Sequence, residues 1–162
     1  MARKFPHSKA LLQSKETMST TATAAAPITV QKLFVNLPVK DVQASVAFFT
    51  ALGFSVDPNF CGEGGASISI NPQLTAMLLS HEMFRNFAPG GIADTSKVNE
   101  VLLTLQLESR EQVDEIVRRA RAAGGTTHGE PTDHGFMYDH DFIDLDGHGW
   151  GVCCMSGTPS QG

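Results

Sequence analysis

The sequence predicts an α+β domain made of two copies of one βαβββ unit, and three observations predict it. Each copy opens on an apolar strand broken by a polar residue, at 32–39 and again at 100–107. Each of those strands runs into a capped segment whose apolar residues recur at helical spacing. Short apolar runs divided by Gly, Pro, Asn and Asp then complete each copy as strands. An internal repeat of this length marks a unit that buries its apolar face against its own copy.

In the first copy, Asp41 is placed to cap a helix on which Val42, Val46, Phe49 and Leu52 share one side. Gly53 is placed to end that helix. Strands are expected at 54–60, 66–71 and 74–80, with turns at 61–65 and at Asn71-Pro72. A connector, 81–99, holds Met83, Phe84 and Phe87 at helical spacing ahead of Pro89, Gly90 and Gly91. It reads as a short helix packed on the core, or alternatively as a lid over a pocket.

The second copy repeats the plan. Ser109 and Gln112 form an S-x-x-Q capping box, and Val113, Ile116, Val117 and Ala120 make the buried stripe of the helix behind it. Asp114 with Arg118 and Glu115 with Arg119 are spaced to pair across a turn on its outer side. Gly124-Gly125 ends the helix, strands are expected at 126–128, 136–144 and 150–155, and Asp146-Gly147 is a hairpin signal.

The flanks differ from this pattern. Arg3, Lys4, Lys9 and Lys15 precede the first acid, Glu16, and 19–26 is Ser, Thr and Ala only. No apolar run makes a secretory signal of this stretch. It reads as an organelle transit peptide or, preferably, as an extension ahead of a start at Met18. The expected organisation is a disordered leader (1–27), a folded domain (28–157) and a disordered tail (158–162). Within the domain, module one spans about 29–80, the connector 81–99 and module two about 100–155.

Composition excludes some functions. A net charge of −5 provides no basic surplus for nucleic acid, and the run of Arg118, Arg119 and Arg121 reads as a solvated helix face. No apolar run is long enough to cross a bilayer, so no membrane partner is expected. The three cysteines, Cys61, Cys153 and Cys154, have no metal-type spacing, and the adjacent pair sits in an apolar strand. Reduced, structural thiols in a cytoplasmic protein are the simplest reading.

Several strings then add to the repeat: N-L-P-V-K-D at 36–41, A-L-G-F at 51–54, G-F-M-Y at 135–138 and D-L-D-G-H-G-W at 144–150. In this order and spacing they resemble the vicinal oxygen chelate superfamily, the glyoxalase, bleomycin-resistance and dioxygenase group, and its glyoxalase-like members in particular. The resemblance implies two modules whose sheets curl into an incomplete eight-stranded barrel, and a homodimer. It also implies four inward metal-ligand positions, two on first strands and two on last strands, which fall here on Phe34, Met77, Leu102 and Gly151. None of these supplies a donor for a hard divalent cation, and the neighbouring residues do not repair the set. No metal and no other cofactor is therefore expected, and a lactoylglutathione lyase-like metal mechanism is the less favoured alternative.

If Phe34 faces the barrel interior, strand alternation turns Asn36, Thr104 and Gln106 the same way and sends Leu33, Val35, Leu37, Leu103, Leu105 and Leu107 to the helices. Asn36, Thr104 and Gln106 are accordingly the expected substrate-binding residues, or else a set of mutually bonded interior groups. Tyr138 and His140 share one strand face and are the candidate catalytic acid/base pair if that face is inward. The stretch from His128 to His148 is rich in His and Asp, but its spacing matches no zinc pattern and much of it lies in a turn. Three classes stay open: a metal-independent enzyme on a small carbonyl or amide compound, a sequestering protein of the bleomycin-resistance kind, and a domain without a ligand.

Overall fold

The computed structural model describes residues 28–157; the leader and tail expectations lie outside the described residues. In chain order the elements are β1 (Leu33–Val39), α1 (Val42–Leu52), β2 (Ser55–Cys61), β3 (Gly65–Asn71), β4 (Leu74–Ser80), α2 (His81–Arg85), β5 (Leu102–Leu107), α3 (Arg110–Ala122), β6 (Thr132–Asp133), β7 (Met137–Ile143) and β8 (Gly149–Met155). Two βαβββ modules are therefore present, joined by a connector that holds α2. Each folds into a four-stranded mixed sheet, ordered β1-β4-β3-β2 and β5-β8-β7-β6. In both, the first strand runs parallel to the last, and the remaining ladders are antiparallel.

Local chemistry sets the helix ends. Asp41 has extended backbone and accepts from the Ala44 N–H at 3.0 Å, which satisfies one of the first-turn donors of α1. Gly53 closes α1 at φ 106°, a left-handed conformation that glycine adopts without strain. Ser109 caps α3 by accepting from the Gln112 N–H, while the Gln112 side chain reaches back to the Glu108 N–H at 3.1 Å.

One core serves both modules. The stripes of α1 and α3 meet the helix-facing sides of the two sheets in a single apolar cluster. Phe49 of α1 meets Trp150 of β8 edge-on at 5.3 Å between ring centres, and Trp150 stacks on Phe142 of β7 at 5.9 Å. The D-L-D-G-H string of module two is bolted to the end of β1 and the start of α1. Asp146 accepts from the Lys40 N–H at 2.8 Å and from the Ser45 hydroxyl at 3.1 Å, and His148 Nε2 donates to the Pro38 carbonyl at 2.9 Å. Asp144 holds the turn itself, accepting from the Asp146 and His148 N–H groups and from Trp150 Nε1. Two strings that stand about a hundred positions apart are thus one hydrogen-bonded unit.

Four expectations need correction. The strand expected at 126–128 is reduced to one bridge from Thr126 to Ile143; the chain leaves the sheet at His128, which is tied to Asp141, and rejoins it as β6 after Pro131. The connector helix forms but buries no residue, leaving Met83 and Phe87 exposed. Asp114 does not pair with Arg118; Glu115 takes both Arg118 (2.7 Å) and Arg119 (2.8 Å), because Asp114 is engaged by Tyr138. Leu33, expected against the helices, is exposed at the start of its strand.

The two sheets do not close into a barrel: among the described strands no ladder joins one sheet to the other. Apolar burial is concentrated on the helix side of both sheets, so the faces carrying Phe34 and Leu102 stay open, at 54% and 67% exposure.

Candidate functional site

The open faces are where the expected ligand positions lie. Phe34 and Leu102 stand on the first strands, and Met77 and Gly151 stand opposite Asn36 and Thr104, two positions further along in each module. The four positions are therefore related by the repeat. Their chemistry is two hydrocarbons, a thioether and a glycine, which gives a hard divalent ion nothing to bind. Among the described residues no group of three His, Cys, Asp or Glu side chains is close enough to hold a metal ion. The superfamily's ion does not fit this donor set.

On the second sheet the open face forms a cavity of about 320 Å³ bordered by Leu102, Thr104, Glu130, Asp139, Asp141 and the backbone of Gly149 and Gly151. The glycines matter because β5 leans over them. A Cβ at Gly151 would stand 2.9 Å from Thr104 Oγ1, and one at Gly149 would stand 2.8 Å from Leu102 Cδ2. Asp139 and Asp141 alternate with the buried Phe142 and so belong to the open face. Each holds an imidazole: His128 Nδ1 lies 2.6 Å from Asp141, and His134 Nε2 lies 3.0 Å from Asp139. Glu130 has no ion-pair partner among the described residues.

The expected site residues are not brought together. Thr104 lies in this cavity, and Gln106 is exposed two residues along the same strand face. Asn36 is exposed on the first sheet, at a separate cavity of about 330 Å³ with Phe84 and Glu100. As exposed amides, Asn36 and Gln106 carry no burial penalty in the single chain. Tyr138 and His140 share the parity of Phe142, which is the helix side, so the condition for their acid/base role is not met. The Tyr138 hydroxyl donates to Asp114 of α3 at 2.8 Å, and that bond, with burial, pushes the phenol up to about 12. His140 borders the cavity, but its ring is buried and its Nδ1 accepts from the Asp141 N–H at 2.9 Å.

Sequence reasoning passed over Glu130, Asp139 and Asp141. The signal was present in β7 itself: Phe142 is the strand's large apolar residue, so residues an odd number of positions away face the opposite side. The glycines at 149 and 151, on alternate positions of one strand, likewise mark a close approach.

The first sheet contributes an apolar groove of about 420 Å³, lined among others by Phe60, Cys61, Met77, Leu79, Met83 and Phe87. The two open faces differ in chemistry, one apolar and one acidic.

Comparison with known proteins agrees with this architecture. A family described as bleomycin resistance protein-like N-terminal matches residues 31–71. A hypothetical protein from S. aureus is 31% identical, with 78% of this chain and 94% of that chain covered and a TM-score of 0.67. A glyoxalase/bleomycin resistance protein/dioxygenase family enzyme from Burkholderia phytofirmans shares the fold at 20% identity, with 75% and 96% covered and a TM-score of 0.66. So does a genomically encoded fosfomycin resistance protein from Listeria monocytogenes, at 20% identity, with 83% and 97% covered and a TM-score of 0.58. None of the curated proteins matches the chain. The chain shares the fold of glyoxalase, bleomycin-resistance and dioxygenase proteins, and its first module matches the bleomycin resistance protein-like N-terminal family. Among its described residues no helix is long and apolar enough to cross a membrane.

Proposed function

We propose that this chain binds a small molecule carrying a basic group on the open face of its second sheet, without the superfamily's divalent ion. The observation that carries the reading is Glu130, without an ion-pair partner among the described residues, beside Asp139 and Asp141, each with one carboxylate oxygen taken by an imidazole, around a cavity floored by glycine backbone. Thr104 supplies a neutral hydroxyl to orient the ligand, and the apolar groove of the first sheet suits the hydrocarbon part of a ligand held between two copies of the chain. Asn36 and Gln106, on the same open faces, then serve as secondary contacts. A homodimer fits the exposed apolar side chains on those faces, and free, buried Cys153 and Cys154 fit a cytoplasmic setting. This is the binding or sequestering mode, in which no bond is broken.

The test is thermal stabilisation of the full chain by amine- and guanidine-bearing compounds, bleomycin among them, against carboxylate-bearing compounds of similar size. Basic compounds should raise the melting temperature, and Glu130→Gln with Asp139→Asn should abolish the rise while keeping side-chain shape. An equal response to acidic compounds, or an undiminished response in the double variant, rejects the proposal.

One observation favours a second reading. His128 held by Asp141 at 2.6 Å beside the cavity is the arrangement of a carboxylate-oriented general base, suited to a metal-independent enzyme on a carbonyl or amide compound. Turnover of a bound compound in the same screen, lost in His128→Gln, decides for it.

A further inference from the structure

A second cavity, of about 370 Å³, lies where the modules meet, and its lining shares no residue with the acidic cavity. Its walls are the end of β1 with Lys40, one side of α2 with His81 and Arg85, and the connector at 92–96; Asp146 and His148 border it from module two. We propose that this cavity binds an oxyanion, the carboxylate or phosphate group of a small molecule.

Two cations of the lining, Lys40 and Arg85, form no ion pair among the described residues, as is true of Lys32 and Arg121 elsewhere, and the His81 imidazole stands beside them; Lys97, Arg110, Arg118 and Arg119 are matched to carboxylates. The acids of the lining are already engaged. Asp94 takes Lys97 and Ser96 at 2.6 Å each, and the hydrogen bonds from them, with a smaller effect from Lys40, hold its carboxyl below the usual carboxylate range. Asp146 has both oxygens occupied by the Lys40 N–H and the Ser45 hydroxyl. His148 is likewise committed: Nε2 donates to Pro38, and Nδ1 lies against the Glu100 carboxylate, in contact but off the line of a regular hydrogen bond.

His81 and Arg85 are four residues apart, so they stand on the same side of α2 and can face one bound group. In a chain with a net charge of −5, two cations and an imidazole around one cavity are suited to an anion. The residue types fit the task. Arg85 offers a planar fork for two oxygens, and Lys40 offers a point charge. The volume suits a ligand of small-molecule size.

The experiment is thermal melting of the full chain at low ionic strength with inorganic phosphate, with acetate, and with chloride at matched ionic strength. Phosphate or acetate should raise the melting temperature by several degrees over chloride. Lys40→Gln with Arg85→Gln should return the response to the chloride level; both side chains are exposed, and the Lys40 N–H that meets Asp146 is kept. A response to phosphate alone assigns a phosphate group, and a response to both assigns the shared oxyanion chemistry. No response beyond chloride, or an undiminished response in the double variant, overturns the proposal. Should the double variant not fold, the His81 ring resonances of the parent chain decide: they should move on phosphate titration, and unmoved resonances overturn it.

Discussion

Tyr138 shows how one bond removes a residue from a candidate site. It is the only tyrosine in the chain, so ultraviolet absorbance of the folded protein reports its ionisation alone. The phenol must keep its proton to donate to Asp114, and this bond, together with burial, raises its midpoint from the usual 10.0 to about 12. The stabilisation that follows is present below pH 10 and is lost as pH rises through about 12, because only the unfolded chain ionises in that window. An absorbance titration should give a midpoint near 12 in the native chain, and Asp114→Asn should bring it down towards 10. A native midpoint at the ordinary value would mean that the hydroxyl is free and its acid/base role should be reopened. At this scale the sequence was legible where alternation had a fixed reference. The apolar partners Val35, Leu37 and Leu105 on the helix side placed Asn36 and Thr104 on the open face. In β7 the polar residues run together, and only Phe142 marks which side is buried, so the face shared by Tyr138 and His140 stays open to either reading until that residue is used as the reference.

The elements divide by how far away their determinants lie. Asp41, Gly53 and Ser109 act within one helical turn, and all three ends were readable from neighbouring residues. The short β6 was not, because its place depends on His128 being held by Asp141, thirteen positions away. The β7–β8 turn is the more instructive case. Aspartates in a turn suggest backbone reasons alone, and Asp144 does serve the turn. Its burial pushes its carboxyl upward against those bonds. Asp146 instead reaches across to module one, where its oxygens satisfy the Lys40 N–H and the buried Ser45 hydroxyl. Asp146→Ala leaves those donors without acceptors in a largely buried setting, and should cost about 2–4 kcal/mol. Chemical denaturation followed by Trp150 fluorescence measures it, since Trp150 is the only tryptophan and is 1% exposed. A surface aspartate would lose roughly 0.5 kcal/mol or less, and a loss that small would mean the bolt does not hold the modules together.

For the whole molecule, the repeat was legible because each module carries its own periodicity, while the relation between the two sheets was not. That relation rests on contacts such as Phe49 with Trp150 and Phe48 with Phe142, made between residues about a hundred positions apart, and no local pattern encodes them. Their outcome is a core on the helix side and two open faces. Phe34, Leu102, Phe60 and Phe87 are 54%, 67%, 63% and 70% exposed, which is a large apolar area for a single chain to present to water. The proposed homodimer would cover both faces with a second copy, because a two-fold interface uses the same surface of each chain. The chain should therefore run at twice its 17.4 kDa mass in native mass spectrometry. Phe34→Glu with Leu102→Glu should convert it to a monomer, since apposed copies would bury the new charges without partners. Neither side chain belongs to the shared core, so the variant's far-ultraviolet circular dichroism should match the parent's. A parent chain of single mass, or a variant that stays dimeric, would remove the open faces from the interface and leave the acidic cavity to bind its ligand within one copy.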